Sequence, residues 1–286
     1  MFTYVLLGIA ALSVTGQNIS KQKFNQCCNG NTLFFTGMIS VFAMLFFIAI
    51  NRDFYYSPKL FIPSAAFALS YGTATFGAVQ AIRHGSLAKT SLLVSFSLLI
   101  PSLYGILFLH EPISASWAIG TVLLILSFVM INYEKTMFEE KSSWKWYFYV
   151  FLAFLGNGLC STVQKAKQQI YGEAGNNLFM IVALFMVAVM MFWAGLATKE
   201  NRSTVRNTVK HGFPWALLCG VANGLTNYLV ICLNPKFPAS TLFPVISTGN
   251  VILSFAYSIV VIREKFSPRQ IIGFFIGIFS IVLLNL

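Results

Sequence analysis

The stretches FLHEPISASWAIG (108–120) and VIREKFSPRQIIG (261–273) each carry a glutamate, Glu111 or Glu264, nine residues ahead of a glycine, Gly120 or Gly273. The two glutamates are 153 residues apart in a chain with only eight Asp and Glu, and each lies in a short break between long apolar runs. Sliding the chain by 153 also lays Ser127 on Ser280, Asn132 on Asn285, Tyr104 on Tyr257, Thr73 on Thr226 and Ser95 on Thr248. In the first helices the offset becomes 144, bringing Lys21 onto Lys165 and Lys23 onto Lys167. The difference fits a longer connection, TKENRSTVRNTVKHG (198–212), in place of NRDFYYSPK (51–59). The sequence reads as two copies of one unit, 1–135 and 136–286.

Composition says what the unit is made of. The 286 residues are 57% hydrophobic and 9% charged, against about 25% charged in soluble domains. Reading each apolar run to its next polar, Pro or Gly break gives ten segments: 2–20, 32–50, 60–81, 86–109, 114–132, 145–164, 176–198, 213–233, 238–262 and 268–286. A helix of about 20 residues spans the ~30 Å hydrocarbon core, and the runs lack the alternation of barrel strands. The expectation is an all-α polytopic membrane protein with ten transmembrane helices. MFTYVLLGIAALSVTGQNIS (1–20) has no basic leader and no small-residue cleavage site, so it reads as a retained first span.

Five helices per copy is an odd number, so the second copy enters the bilayer from the opposite side. That is an inverted-topology repeat, which sets a site at the midplane between the halves and permits alternating access. Ten helices, the five-plus-five repeat and the two glutamate–glycine arms make the whole chain resemble the drug/metabolite transporter superfamily, in its EamA-like branch. The last arm, STGNVILSFAYSIVVIREKFSPRQIIGFFIGIFSIVLLNL (247–286), resembles the closing helices of a small multidrug resistance subunit. The resemblance implies transport of small organic molecules, usually across the plasma membrane, driven by exchange or an ion gradient.

The acids depart from part of that pattern. Asp53, Glu111, Glu134, Glu139, Glu140, Glu173, Glu200 and Glu264 all fall in connections between spans. Small multidrug resistance proteins use a carboxylate inside their first helix. A cation in the bilayer centre wants a buried counter-charge, and no span here supplies one. Glu111 and Glu264 have two readings: contacts at a gate, or carboxylates near the N-termini of the helices that follow at Pro112 and Pro268, where a negative charge and a proline both fit.

Uncharged polar groups inside the spans are the better site signal, because an amide facing lipid is left unsatisfied. The candidates for substrate binding are Gln17, Tyr71, Thr73, Thr75, Ser95, Asn157, Asn223, Thr226, Asn227, Tyr228, Thr248 and Asn250. Asn18, Ser91, Ser97, Ser161 and Ser247 are polar in the same spans. The offset of 153 pairs Thr73 with Thr226, Thr75 with Tyr228, Ser95 with Thr248 and Ser97 with Asn250, suggesting a twofold polar lining. Interhelical hydrogen bonding is the competing explanation for each residue taken alone.

Lys21, Lys23, Lys165 and Lys167 end the first and sixth spans, where they either snorkel to headgroups or meet an anionic group in transit. Lys89, early in the fourth span, is the more exposed candidate if the substrate is an anion. Pro101 and Pro244 kink the fourth and ninth spans. Gly273 and Gly277 form a GxxxG step suited to close helix packing. Five cysteines without paired histidines, and His84, His110 and His211 without ligand spacing, give no metal site; no cofactor is expected.

The leading expectation is a secondary transporter for a small polar metabolite, neutral or zwitterionic, in the plasma membrane. The alternative is an exporter or flippase of amphipathic or lipid-linked compounds, suggested by 29 phenylalanines. An intramembrane enzyme would need a Ser/His, paired-Asp or HExxH arrangement, and none is present. The expected partners are the small-molecule substrate and the lipid bilayer, with the protein a monomer or homodimer. The net charge of +11 sits mainly between spans, which points to lipid headgroups rather than nucleic acid. Lys and Arg number 14 around the odd-numbered connections and 5 around the even ones. The positive-inside rule then puts both termini outside, whereas the family resemblance implies both inside.

Overall fold

The computed structural model describes residues 2–28, 30–51, 58–109, 114–132, 143–172, 175–197, 199–233 and 239–283. Asp53, His110, Glu111, Pro112, Glu134, Glu139, Glu140, Glu173 and Asn285 lie outside the described residues. The described chain is all-α, without a strand. Its helices are α1 (Phe2–Cys27), α2 (Thr32–Ile50), α3 (Phe61–His84), α4 (Leu87–Ser95), α5 (Leu99–Leu109) and α6 (Ala115–Asn132). The second part contributes α7 (Trp144–Tyr171), α8 (Asn176–Leu196), α9 (Lys199–Leu233), α10 (Ala239–Tyr257) and α11 (Pro268–Leu283).

Local chemistry sets where these helices start and bend. Asn31 caps α2, its side chain accepting from the Phe34 N–H at 3.0 Å. Ser267 and Gln270 exchange reciprocal bonds of 2.9 and 3.3 Å at the start of α11, a capping box followed by proline in the first helical position. Pro101 has no N–H to offer the Ser97 carbonyl one turn back, and the chain tightens into a 3₁₀ turn over Phe96–Leu98 between α4 and α5. A π-turn over Ser258–Ile262 ends at Arg263, which adopts left-handed φ of 61°. Pro244 lies within α10, but its side chain is not described.

Three expected breaks are helical instead. α1 continues to Cys27 and carries Lys21 and Lys23; α7 continues to Tyr171 and carries Lys165 and Lys167. The segment expected to be a loop at 198–212 forms, from Lys199 on, the first turns of the 35-residue α9. It therefore holds Glu200 and His211 on a helix, and His211 Nδ1 lies 2.8 Å from Asn207 Oδ1 one turn earlier. This segment alternates charged residues with buried Thr208, so one face packs while the other stays polar. A helix satisfies its backbone without needing an apolar sequence throughout.

Among the described residues, five helices are long and apolar enough to cross a membrane: Thr32–Ile50, Leu87–Phe108, Trp144–Tyr171, Asn176–Leu196 and Arg202–Leu233. Ala115–Ile131, Ile246–Ile262 and Pro268–Leu283 are shorter apolar helices. α1 and α3 carry inward-facing polar residues that dilute their hydropathy. Large apolar side chains cover the outside, Ile62, Trp193 and Val260 each being more than 70% exposed. In water such a surface would drive association; it suits a hydrocarbon surrounding.

The principal packing partners are α3 with α7, α1 with α9 and α10, α2 with α8 and α9, α3 with α8, α4 and α5 with α7, α4 with α10, and α6 with α11. Each joins a helix before residue 135 to one after it. The set is closed under exchange of α1 with α7, α2 with α8, α3 with α9, α4–α5 with α10 and α6 with α11. Glycine makes the tightest crossing possible. A Cβ on Gly156 would stand 2.5 Å from the Ala74 nitrogen, and one on Gly77 would stand 2.7 Å from the Ala153 nitrogen. At α6–α11, Ser127 Oγ donates to the Gly273 carbonyl at 2.7 Å and Ser280 Oγ to the Gly120 carbonyl at 2.8 Å. The repeated serines and glycines of the sequence thus bond reciprocally to each other.

Candidate functional site

α1, α3, α4 and α7, α9, α10 surround a cavity of about 230 Å³, extended at one wall by Leu98 of the 3₁₀ turn. Helical spacing decides who faces it. On α9, Asn223, Thr226, Asn227 and Val230 recur at the three- and four-residue steps of one face. Val14, Gln17, Asn18 and Lys21 do the same on α1, and Asn157, Cys160, Ser161 and Gln164 on α7. Tyr71, Ala74, Thr75 and Ala78 supply α3.

Nine of the twelve candidates meet here: Gln17, Tyr71, Thr75, Ser95, Asn157, Asn223, Thr226, Asn227 and Asn250. Thr73, Tyr228 and Thr248 do not. Thr73 is exposed on the far side of α3 and its hydroxyl donates back to the Leu69 and Ser70 carbonyls at 3.0 and 2.9 Å. Tyr228 is 36% exposed and packs edge-on against Phe46. Thr248 Oγ1 is buried, without a hydrogen-bond partner among the described residues, and away from the cavity.

The reason is register. With an offset of 152, cavity residues fall on cavity residues: Tyr71 on Asn223, Ala74 on Thr226, Thr75 on Asn227, Ala78 on Val230, Val94 on Ile246, Ser95 on Ser247 and Leu98 on Asn250. In the first helices the matching offset is 143, laying Val14 on Asn157, Gln17 on Cys160, Asn18 on Ser161 and Lys21 on Gln164. The offsets of 153 and 144 were one residue too long in these helices. One residue turns an α-helix by about 100°, enough to move a side chain off the face. The offset of 153 holds at α6 and α11, where the reciprocal serine bonds fix it.

The amides are held by one another. Gln17 bridges α1 to α9, donating from Nε2 to Thr226 Oγ1 and accepting at Oε1 from Asn223 Nδ2, both at 3.1 Å. Asn18 Nδ2 donates to Asn250 Oδ1 at 3.1 Å and Ser91 Oγ at 3.2 Å. Asn157 Nδ2 donates to Ser97 Oγ at 2.7 Å, which draws α7 onto the 3₁₀ turn below Pro101. Asn227 Nδ2 donates to the Asn223 carbonyl at 2.9 Å. Each amide is thereby oriented before any ligand arrives. The side-chain oxygens of Asn18, Asn157 and Asn227 accept nothing from the described residues and remain able to receive a donor.

Electrostatically the cavity is one-sided. Among the described residues, Lys21 is the one charged residue lining it, and no carboxylate does so. The lysines split: Lys21 joins the cavity, whereas Lys167 turns back to donate to the Gly172 carbonyl at 2.9 Å and to Asn176 Oδ1. Asn18, Ser91, Ser161 and Ser247 line it as well, though none was among the twelve candidates; Asn18 adjoins Gln17, and the serines lie one turn from Ser95, Asn157 and Asn250, which was the available signal. Trp146, wholly buried, donates to Thr90 Oγ1 at 3.0 Å beside the cavity, and nothing in the local sequence marked it.

Glu264 lies away from the cavity, at the N-terminus of α4 rather than of α11. Ser86 Oγ donates to Glu264 Oε2 at 2.6 Å and, as the cap of α4, accepts from the Lys89 N–H at 3.3 Å. Burial pushes the Glu264 carboxyl above its usual range, partly offset by the Ser86 hydroxyl, the Leu87 N–H and the Lys89 charge.

No family model matches the chain, and no curated protein matches it. Among solved structures, a crystal structure described only as that of a protein superposes with a TM-score of 0.66 at 10% identity, covering 99% of this chain and 96% of that one. At that identity the likeness is one of fold.

Proposed function

We propose that the protein is a secondary transporter that moves a small polar organic metabolite across the plasma membrane by alternating access. In this reading α4 and α5 form one span and α10 with its π-turn another, giving ten spans in two inverted five-helix repeats, 1–135 and 136–286, of the EamA-like kind. The observation that carries it is the cavity. It is lined by oriented amides and hydroxyls, has no carboxylate among the described residues that line it, lies between the halves, and is built from positions that correspond at fixed offsets. Two half-sites related in this way are what a carrier needs to present one binding site to either side in turn. At 230 Å³ the cavity is below the ~300–1,000 Å³ of drug-sized pockets, which favours a metabolite over a lipid-linked compound.

The test is a thermal-shift screen of the purified protein against metabolites, followed by counterflow of the strongest hit in proteoliposomes. A ligand of the folded state raises Tm by mass action. Asn227→Ala should weaken the hit's binding about fivefold or more, the loss of one hydrogen bond, with the unliganded Tm unchanged. Saturable binding without counterflow in the wild type would overturn the carrier reading.

A further inference from the structure

We propose that the substrate is a small organic anion, a carboxylate or phosphate monoester, whose charged oxygens are taken by Lys21. The inference rests on the carrier reading of the cavity and names what the cavity selects. Lys21 follows Gln17 by four residues and Asn18 by three, so it continues the polar face of α1 by one turn. It lines the cavity with only 8% of its surface exposed. Among the described residues it makes no hydrogen bond or ion pair. Burying an ammonium is costly unless something pairs with it, and among the described residues no carboxylate lines the cavity to do so. The missing partner is an anion brought by the ligand.

The corresponding position in the other half sharpens this. Lys21 falls on Gln164, which also lines the cavity. Equivalent sites therefore carry a cation in one half and a neutral amide in the other, so the repeat itself does not impose the charge. A lysine kept to satisfy packing or headgroups would not point at the ligand space; Lys167, which does serve packing, is engaged by Gly172 and Asn176. The unengaged oxygens of Asn18, Asn157 and Asn227 complete the recognition. They accept hydrogen bonds, so the rest of the ligand carries hydroxyl or ammonium donors. A hydroxy acid, an amino acid or a sugar phosphate has both parts; a simple sugar or a lipophilic cation lacks the first.

The experiment uses the full-length protein in detergent, with paired probes: hydroxy- and amino-carboxylates against their primary amides, and sugar phosphates against their parent sugars. Wild type, Lys21→Met and Lys21→Arg are compared by thermal shift and by equilibrium binding. The expected result is stabilisation by at least one acid and not by its neutral partner. That affinity should fall about ten- to a hundredfold in Lys21→Met, the worth of a charge-assisted hydrogen bond, and less in Lys21→Arg. Unliganded Lys21→Met should melt no lower than wild type, because an unpaired buried charge is removed. Neutral probes binding as well as acids, or acids binding Lys21→Met as well as wild type, would overturn the anion inference and leave the carrier reading standing. Acid binding that depends on Lys21 without counterflow would do the reverse. If no probe binds, the unliganded proteins decide: a lower Tm for Lys21→Met makes the lysine structural and overturns the inference, and a higher one supports it.

Discussion

Glu264 and Ser86 join two distant connections through a single hydroxyl. Ser86 caps α4 and at the same time donates to Glu264, 178 residues away in sequence. Removing a serine cap costs about 1 kcal/mol, so Ser86→Ala should lower Tm modestly and leave ligand affinity unchanged. The pH dependence has a definite sign. The folded carboxyl binds its proton more tightly than the unfolded one, because burial raises its pKa above the ordinary 4.5. Its contribution to stability is therefore fully present below that value and is lost as pH rises through the folded pKa. Thermal melts should show wild type losing stability in that window and Glu264→Gln losing less; parallel profiles would contradict the assignment. The sequence showed that Glu264 sits beside a helix start. It could not show which helix, because local spacing suggests α11, whereas the contact runs to α4 in the other half.

At the scale of the helix, register carried most of what the sequence revealed and most of what it missed. The polar residues of α1, α3, α7 and α9 were recognisable because amides are costly in apolar surroundings. Their faces were harder to place. An offset one residue too long put Thr73 opposite Thr226 and Tyr228 opposite Thr75, and a 100° turn per residue left one member of each pair outside the cavity. Only packed pairs such as Ser127 with Gly273 fix the offset, and sequence alone does not reveal contacts. The start of α9 was hidden for another reason: its polar stretch looked like a loop, although helical hydrogen bonding does not require apolar residues. Gly77 and Gly156 give the sharpest prediction at this scale. Gly156→Val should prevent recovery of a monodisperse protein, since the new Cβ would lie 2.5 Å from the Ala74 backbone nitrogen, a contact no rotamer relieves. Gly8→Ala, with nothing within 4 Å, should leave Tm unchanged or slightly raised, as alanine is the better helix former. Size-exclusion profiles of the two variants make the comparison.

For the whole molecule, hydrogen bonds among the described residues tie four of the odd-numbered connections expected from the sequence into two pairs. Asn31 donates from its N–H to Thr208 Oγ1 and from Nδ2 to the Gly195 carbonyl, both at 2.7 Å, linking the turn after α1 to the last turn of α8 and the first part of α9. Ser86 and Glu264 link the turn after α3 to the turn after α10. On the proposed ten-span reading the odd-numbered connections and their flanks carry 14 of the 19 Lys and Arg in the sequence, Lys21 among them, and the positive-inside rule would put those connections in the cytoplasm. Because the helices pack chiefly across the two parts of the chain, the proposed cycle would open the cavity to one end or the other by moving helices from both parts together, not by rocking one part as a separate body. The direct test of alternating access is two-sided labelling at the cavity. In a background lacking the five native cysteines, a single Ser161→Cys is exposed to a membrane-impermeant thiol reagent in right-side-out and in inside-out vesicles. A carrier predicts labelling from both sides, slowed from both by bound substrate. Labelling from one side only, whatever the ligand, would contradict the account.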